Sequence, residues 1–238
     1  VTETWLDFCN RRPGPASKRG YYAIGPTRPL ALISGEVKHS AEGTRAGMLA
    51  VLDGPDQKSW TFSLYSIALP DQHYPLEAIA WAAGSPGANI PYVQLEHEGY
   101  AGQPLTDTQL HYTTRITAAI RRLTAAGQTP PTRRLNLWEH NECVARYGGA
   151  ATACPSGRIP WNDIIHHLDQ EARTMLITNL HARHDDDEVY AEIGPSLVHI
   201  SRHEYIAPQG WQRITRHAPN AAIWQRPTFY PEHDRSLP

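Results

Sequence analysis

Three side chains able to hold a transition metal sit in local sequence suited to that task. His39 closes the apolar run Leu30-Ala31-Leu32-Ile33 through Val37 and precedes the turn-like Ser40-Ala41-Glu42-Gly43, which places it at the end of a buried strand. His140 follows the short apolar segment Leu135-Asn136-Leu137-Trp138 in the same way. Cys154 lies in Thr152-Ala153-Cys154-Pro155-Ser156-Gly157, where small residues and a proline let a loop carry a thiolate up to an ion. Two neutral imidazoles and one thiolate leave a fourth tetrahedral position for water, the layout of a catalytic rather than a structural zinc site. Spacing alone says little, because the histidines are far apart and the chain holds 13 of them. Cys143 would share a helix face with His140 and competes as third ligand; its other reading is a small buried thiol.

The elements that must position these groups can be read from periodicity. A first helix is expected from Thr44 to Asp53, stopped by Gly54-Pro55. From Trp60 to Ile67, Trp60, Phe62 and Leu64 alternate with Thr61, Ser63 and Tyr65, which predicts a strand. Glu96 and Glu98 stand two apart in another expected strand, so both face the side opposite Val93 and Leu95. They could be solvated residues of an exposed face or a catalytic carboxylate and its neighbour. The clearest helix opens with the capping box Thr106-x-x-Gln109, sets Leu110, Ile116, Ile120 and Leu123 on one face, and is ended by Gly127 and Pro130-Pro131. A last helix follows Pro160, with Trp161, Ile164, Ile165 and Leu168 on one face. Strands interleaved with helices imply an α/β domain with a mixed sheet.

The flanks differ. Residues 1 to about 29 are polar and rich in proline and glycine, and read as an irregular arm laid over the domain. Residues 176–188 read as a polar linker ending in Asp185-Asp186-Asp187-Glu188, a run without the ligand alternation or glycine of a calcium loop. Residues 189–238 read as a small, mainly β module, with strands at Val189–Ile193 and Leu197–Ile200 around Gly194-Pro195. Its Trp211, Trp224 and Tyr230 could stack on sugar rings in a cell wall or simply form the module's own core.

From about Leu30 to Leu168 the chain resembles the zinc-dependent N-acetylmuramoyl-L-alanine amidases of phage lysins and bacterial autolysins, which share their fold with the peptidoglycan recognition proteins. The matching stretches run in the family's order: Val37 to Gly43, Ser59-Trp60-Thr61-Phe62, Trp81-Ala82-Ala83-Gly84, Val93 to Gly99, Pro104 to Gln109, Leu137-Trp138-Glu139-His140 and Cys154-Pro155. The resemblance implies a mixed central β-sheet flanked by helices over residues 1–175, with the C-terminal module as an appendage. It implies one Zn2+ per chain on His39, His140 and Cys154, and a catalytic carboxylate at Glu96 with Glu98 in reserve. It further implies an oxyanion donor at Thr152 and a substrate groove that includes Trp60 and Trp81. The implied reaction is hydrolysis of the amide between N-acetylmuramic acid and L-alanine in bacterial peptidoglycan; a non-catalytic wall-binding protein on the same fold is the alternative. Family members often carry His where Thr61 and Ala82 stand, a departure that spares the ligands and bears on the groove. Some phage enzymes carry Lys where Thr152 stands, whereas the catalytic recognition proteins have Thr there.

Bulk properties set outer limits. A net charge of -2 gives no electrostatic reason to expect a nucleic-acid partner. Only 19% of residues are charged, while 20 prolines and 17 glycines suit long ordered loops around a sheet better than a helical bundle. Cys9, Cys143 and Cys154 cannot all pair within one chain, so no disulfide framework is expected. No stretch is long and apolar enough for a membrane span, and the start shows no signal-peptide pattern. A monomer made in the cytoplasm and acting on the cell wall is expected, by an export route that the sequence does not give.

Overall fold

The computed structural model describes residues 3–20, 25–182, 189–193 and 196–200. The chain divides into two compact units, Val1–Leu168 and Asp169–Pro238. In the first unit the elements run β1 (Asn10–Arg11), β2 (Gly35–Ser40), α1 (Arg45–Asp53), β3 (Phe62–Leu64), β4 (Asp71–Gln72), α2 (Pro86–Asn89), β5 (Tyr92–His97), α3 (Asp107–Leu123), β6 (Leu137–Glu139) and α4 (His140–Tyr147). Helix α5 (Trp161–Leu176) follows. Six strands form one mixed sheet in the order β1-β4-β3-β5-β2-β6, parallel throughout except for the antiparallel pair β3 and β4.

Strand β2 is central and buried at all six positions. It is paired in register on one side with β5, Val37 against Gln94 and His39 against Glu96, and on the other with β6, Val37 against Trp138. Because successive side chains alternate in direction, β2 serves two layers. Glu36 and Lys38 face α3, where Phe62, Leu64, Val93, Leu95, Ile116 and Ile120 form the main core. Val37 faces the other layer, with Tyr92, Trp138, Ala83, Ala88 and Cys143.

Local signals explain the helices that hold these layers. Thr44 caps α1 by accepting the Gly47 N–H, and Thr106 and Gln109 form both halves of the expected capping box at α3. Two elements are shorter than their periodicity predicts. The strand expected over Trp60–Ile67 is only Phe62–Leu64: its last residue pairs with His97, where the parallel neighbour β5 also ends, and Ile67 is 92% exposed. Helix α3 stops at Leu123, itself exposed, and a 3-10 turn over Ala125–Gln128 separates it from the prolines.

The N-terminal arm is more than a covering. Strand β1 adds to the sheet edge beside β4, Leu6 enters the main core, and Lys18 donates from its ammonium to the carbonyls of Val51 and Leu52 at the end of α1. In the second unit β7 (Ile177–Ala182), β8 (Val189–Ile193) and β9 (Ser196–Ile200) form an antiparallel sheet. Strand β7 thus occupies positions read from the sequence as linker, because β8 offers it a partner that its own polar pattern does not announce. Asp185 to Glu188, and Trp211, Trp224 and Tyr230, lie outside the described residues.

Candidate metal centre

His39, His140 and Cys154 come together: each offers a ligand atom, and these atoms lie within 4.8 Å of one another. The Cys154 Sγ is 3.9 Å from His39 Nδ1, and the two imidazole centroids are 4.7 Å apart. Bond lengths to tetrahedral zinc of roughly 2.3 Å for sulfur and 2.0–2.1 Å for nitrogen imply a sulfur–nitrogen separation of about 3.6 Å. That gap is a few tenths of an ångström wider, and the three ligand atoms together spread to within 4.8 Å, so the donor set fits such an ion once the side chains draw together.

Each ligand is held by its own element. The ring of His39 projects from β2, and its Nε2 is 2.8 Å from the Gln94 Oε1 on the neighbouring strand. The Gln94 amide nitrogen donates to the Tyr92 carbonyl at 3.1 Å, which turns the oxygen toward His39. An amide oxygen only accepts, so Nε2 carries the proton and Nδ1, the atom facing Cys154, keeps its lone pair. Burial, then the neighbouring His140, holds His39 well below the usual histidine range; burial also lowers His140.

His140 is the first residue of α4, whose end is fixed by reciprocal bonds between Glu139 and Glu142. Gly84, beside the ring, has φ +73, a left-handed conformation that favours glycine, although a Cβ there would make only ordinary contact with the His140 Nε2 at 3.8 Å. The Asn141 N–H donates to the Cys154 carbonyl at 2.8 Å, and the Cys154 thiol accepts from the Ser40 N–H at 3.2 Å. Burial, and then Glu96, push that thiol up to about 12; a bound cation reverses this and takes the sulfur as thiolate. Cys143 is fully buried against Val37 and Trp138 and does not belong to the ligand group.

Glu96 stands directly across from His39 in the parallel register. It is buried, its carboxylate makes no hydrogen bond to the described residues, and burial raises its carboxyl to about 8 against the lowering influence of Arg158. It lines a cavity of about 330 Å³ together with Ala41, Glu42, Met48, Lys58 and Trp60. Glu98 is engaged otherwise: it accepts the backbone N–H groups of Arg45 and Ser66 at 2.9 and 2.8 Å. Burial raises it, but those bonds prevail and its carboxyl lies below the usual range.

Trp60 is held in the cavity wall by its Nε1–H, which donates to Ser63 Oγ at 2.7 Å. Ser63 in turn meets His73 Nε2 at 2.8 Å, while His73 Nδ1 donates to the Arg12 carbonyl at 2.9 Å. Trp81 is half-buried, donates its backbone N–H to Ser59, and does not line this cavity. The Thr152 hydroxyl oxygen accepts the Cys154 N–H at 3.1 Å, which leaves its proton available to another acceptor.

Sequence reading passed over two residues. Gln94 orients His39, and a polar residue inside the buried run Val93–Leu95 was its only local signal. Arg158 is buried and donates to Ser40 Oγ, the Gln103 carbonyl and the Glu98 carbonyl, each at 2.8 Å. It ties the ends of β2 and β5 to the loop that carries Cys154. Its signal was a lone charge between Gly157 and Ile159.

No family profile matches the sequence, and no curated protein matches it. Among solved structures, the fold resembles that of a selenomethionine AmpD derivative, with a TM-score of 0.52 and 17% identity over 71% of this chain and 98% of that one. The N-acetylmuramoyl-L-alanine amidase LysC from Clostridium intestinale matches with a TM-score of 0.44 and 14% identity, over 63% of this chain and 94% of that one. The Staphylococcus aureus hydrolase AmiA, in complex with its ligand, matches at 0.45 and 16%, over 70% and 79%. The mixed sheet flanked by helices, expected from the sequence, is thus the fold of AmpD.

Proposed function

We propose that the chain is a zinc-dependent amidase that cleaves the bond between N-acetylmuramic acid and L-alanine in bacterial peptidoglycan. One observation carries the chemistry: three metal donors converge within 4.8 Å beside a buried carboxylate on the adjacent strand. The substrate rests on the ordered motif resemblance from Val37 to Pro155.

His39, His140 and Cys154 would hold one Zn2+, which supplies polarisation of the scissile carbonyl and a lowered pKa for a water. Glu96 takes the water's proton and returns it to the leaving amine. Its raised affinity for a proton suits that double duty, and a cation beside it would draw the carboxyl back toward neutral pH. The Thr152 hydroxyl donates to the developing oxyanion. Trp60, in the wall of the cavity that Glu96 lines, would contact the glycan and stem peptide, and Trp81 is assigned to the same groove on the motif resemblance alone. Residues 1–175 carry this chemistry in a monomer, and the module from 189 onward adds contact with the wall.

Metal analysis together with product analysis of digested walls tests the reading. One zinc per chain is expected, lost in His140→Ala and Cys154→Ala and kept in Cys143→Ala. Digestion should free amino termini on L-alanine without new reducing ends. Wall binding without any release would overturn the enzyme in favour of a recognition protein, and reducing ends alone would indicate a glycosidase.

A further inference from the structure

The cavity that Glu96 lines has features that proton transfer alone leaves unexplained. Its volume of about 330 Å³ lies at the small end of ligand sites, which run from roughly 300 to 1,000 Å³. One side is formed by α1: Gly47 and Val51 stand four apart, so they share a helix face, and both border the cavity. Val51 is an apolar side chain left 41% exposed. Gly47 is exposed too, and a Cβ there would meet only Thr44 Oγ1, at an ordinary 3.7 Å. Alanine would fit the fold and favour the helix. The glycine is therefore not demanded by packing, and its effect is to bare the helix backbone to whatever enters the cavity.

The charges around the cavity are divided between the two ends of that helix. Glu42 precedes α1, and its two oxygens are occupied by the Ser40 hydroxyl at 2.8 Å and the Ala101 N–H at 2.7 Å. Glu96 lies at the same end, since it pairs with His39 and the Ala41 N–H donates to the adjacent His97 carbonyl at 2.9 Å. Lys58 follows α1. Its neighbour Ser59 donates to the Lys18 carbonyl at 2.6 Å, and the Lys18 ammonium donates to the Val51 and Leu52 carbonyls, so this stretch is fastened at the C-terminal end of the helix. Lys58 itself is exposed, borders the cavity, and has no hydrogen bond or ion pair among the described residues. The cavity thus runs from two carboxylates to an unpaired cation.

The leaving group orients a substrate within it. A base that returns its proton to the departing amine must come within hydrogen-bond reach of that nitrogen, so the peptide hanging from the nitrogen enters the cavity at Glu96. Two residues of extended peptide then reach about 7 Å, comparable to the rise of about 6 Å from Gly47 to Val51. Resting on the proposed amidase reaction, we infer that Lys58 is a specificity residue for the stem peptide: it pairs with the free α-carboxylate of the D-glutamate that follows L-alanine, while Gly47 leaves room for the peptide backbone along α1. Where that carboxyl is amidated, Lys58 has no charge to meet. The released peptide, with an ammonium at one end and a carboxylate further along, matches the division of charge in the cavity.

The test compares two soluble muropeptides that differ only in whether that carboxyl is free or amidated, on wild type, Lys58→Met and Gly47→Ala. Wild type should favour the free acid by about fivefold in kcat/KM, the upper range for an ion pair open to solvent, and the preference should shrink as salt is raised. In Lys58→Met the preference should vanish. Gly47→Ala should unfold at the same temperature as wild type or higher, yet lose at least about tenfold in kcat/KM on both substrates, the lower figure for a methyl group intruding on a fitted ligand. No preference in wild type, a preference for the amide, or one that survives in Lys58→Met overturns the assignment of Lys58. Full activity in a well-folded Gly47→Ala overturns the path along α1. Direct binding of the dipeptide L-alanyl-γ-D-glutamate separates this site from the reaction itself: affinity that depends on Lys58, in a protein that frees no L-alanine termini from walls, would sink the amidase and leave the cavity as an acidic-peptide site.

Discussion

Glu36 and Glu96 are buried carboxylates on adjacent central strands of one sheet, facing opposite layers, and their surroundings could hardly differ more. Toward α3, Glu36 Oε1 receives the Lys38 ammonium and the Thr117 hydroxyl, Lys38 also donates to Thr117 at 3.1 Å, and only Glu36 Oε2 is buried without a partner among the described residues. Toward the metal donors, Glu96 receives nothing from the described residues, and its nearest compensation is the more distant charge of Arg158. A buried charge matched within the protein is spent on structure. One left unmatched beside an open cavity keeps its capacity for a proton, and such groups cluster at functional sites.

Several experiments would break or sharpen that contrast. Breaking the matched pair should have the largest effect: Glu36→Gln strands the Lys38 ammonium in the core and should cost about 3–5 kcal/mol in denaturant unfolding, the usual penalty for an orphaned buried charge. Replacing both partners by apolar residues, Glu36→Leu with Lys38→Met, should recover most of that loss. If the double variant proves as unstable as the single one, the pair has a role beyond mutual compensation. Glu96→Gln should do the reverse, unfolding no more easily than wild type and binding zinc, while the rate of amide hydrolysis falls at least about 100-fold. A dead Glu98→Gln beside a live Glu96→Gln would transfer the base to Glu98.

A smaller effect is expected one shell out. Gln94→Leu removes the acceptor that fixes the His39 tautomer and should weaken zinc binding by about 10- to 100-fold in competition with a chelator, as second-shell losses commonly do. Unchanged affinity would mean that β2 alone orients the ring. The smallest effect concerns histidines that serve structure. His73 is lowered to about 4 and His97 to about 3, in both cases chiefly by burial. Their folded pKa values lie below the unfolded value of about 6.5, so the stability they contribute is whole above that pH and is lost as pH falls through about 4 and 3. Each should add up to about 1.4 kcal/mol per pH unit to the slope of unfolding free energy. Unfolding curves of His73→Gln between pH 6 and 4.5 should lack one such share, and an undiminished slope would show that His73 titrates elsewhere.

Where the physics is local, the sequence shows it plainly. Thr106 and Gln109 are three residues apart and announce the start of α3; Thr44 and Gly54 bracket α1 in the same way. Long-range matters are less visible. Strand β3 ends because β5 ends, a fact held in a partner about thirty residues away rather than in the alternation of Trp60 to Ile67. The part played by Gln94 depends on pairing with a strand 55 residues earlier in the chain, and that of Arg158 on a reach of 118 residues to Ser40. The three residues that gather at the candidate metal centre could be named from sequence, whereas what orients their side chains belongs to the sheet register.

The bonds that hold Cys154 also bear on time. Its carbonyl is fixed by Asn141 and its sulfur by the Ser40 N–H, so the loop is moored to the same two elements that supply the histidines. An ion entering such a site has no chain to fold, and one leaving it has none to unravel. Chelation should therefore yield a dormant protein that keeps its shape through long storage and resumes work within the mixing time when metal returns.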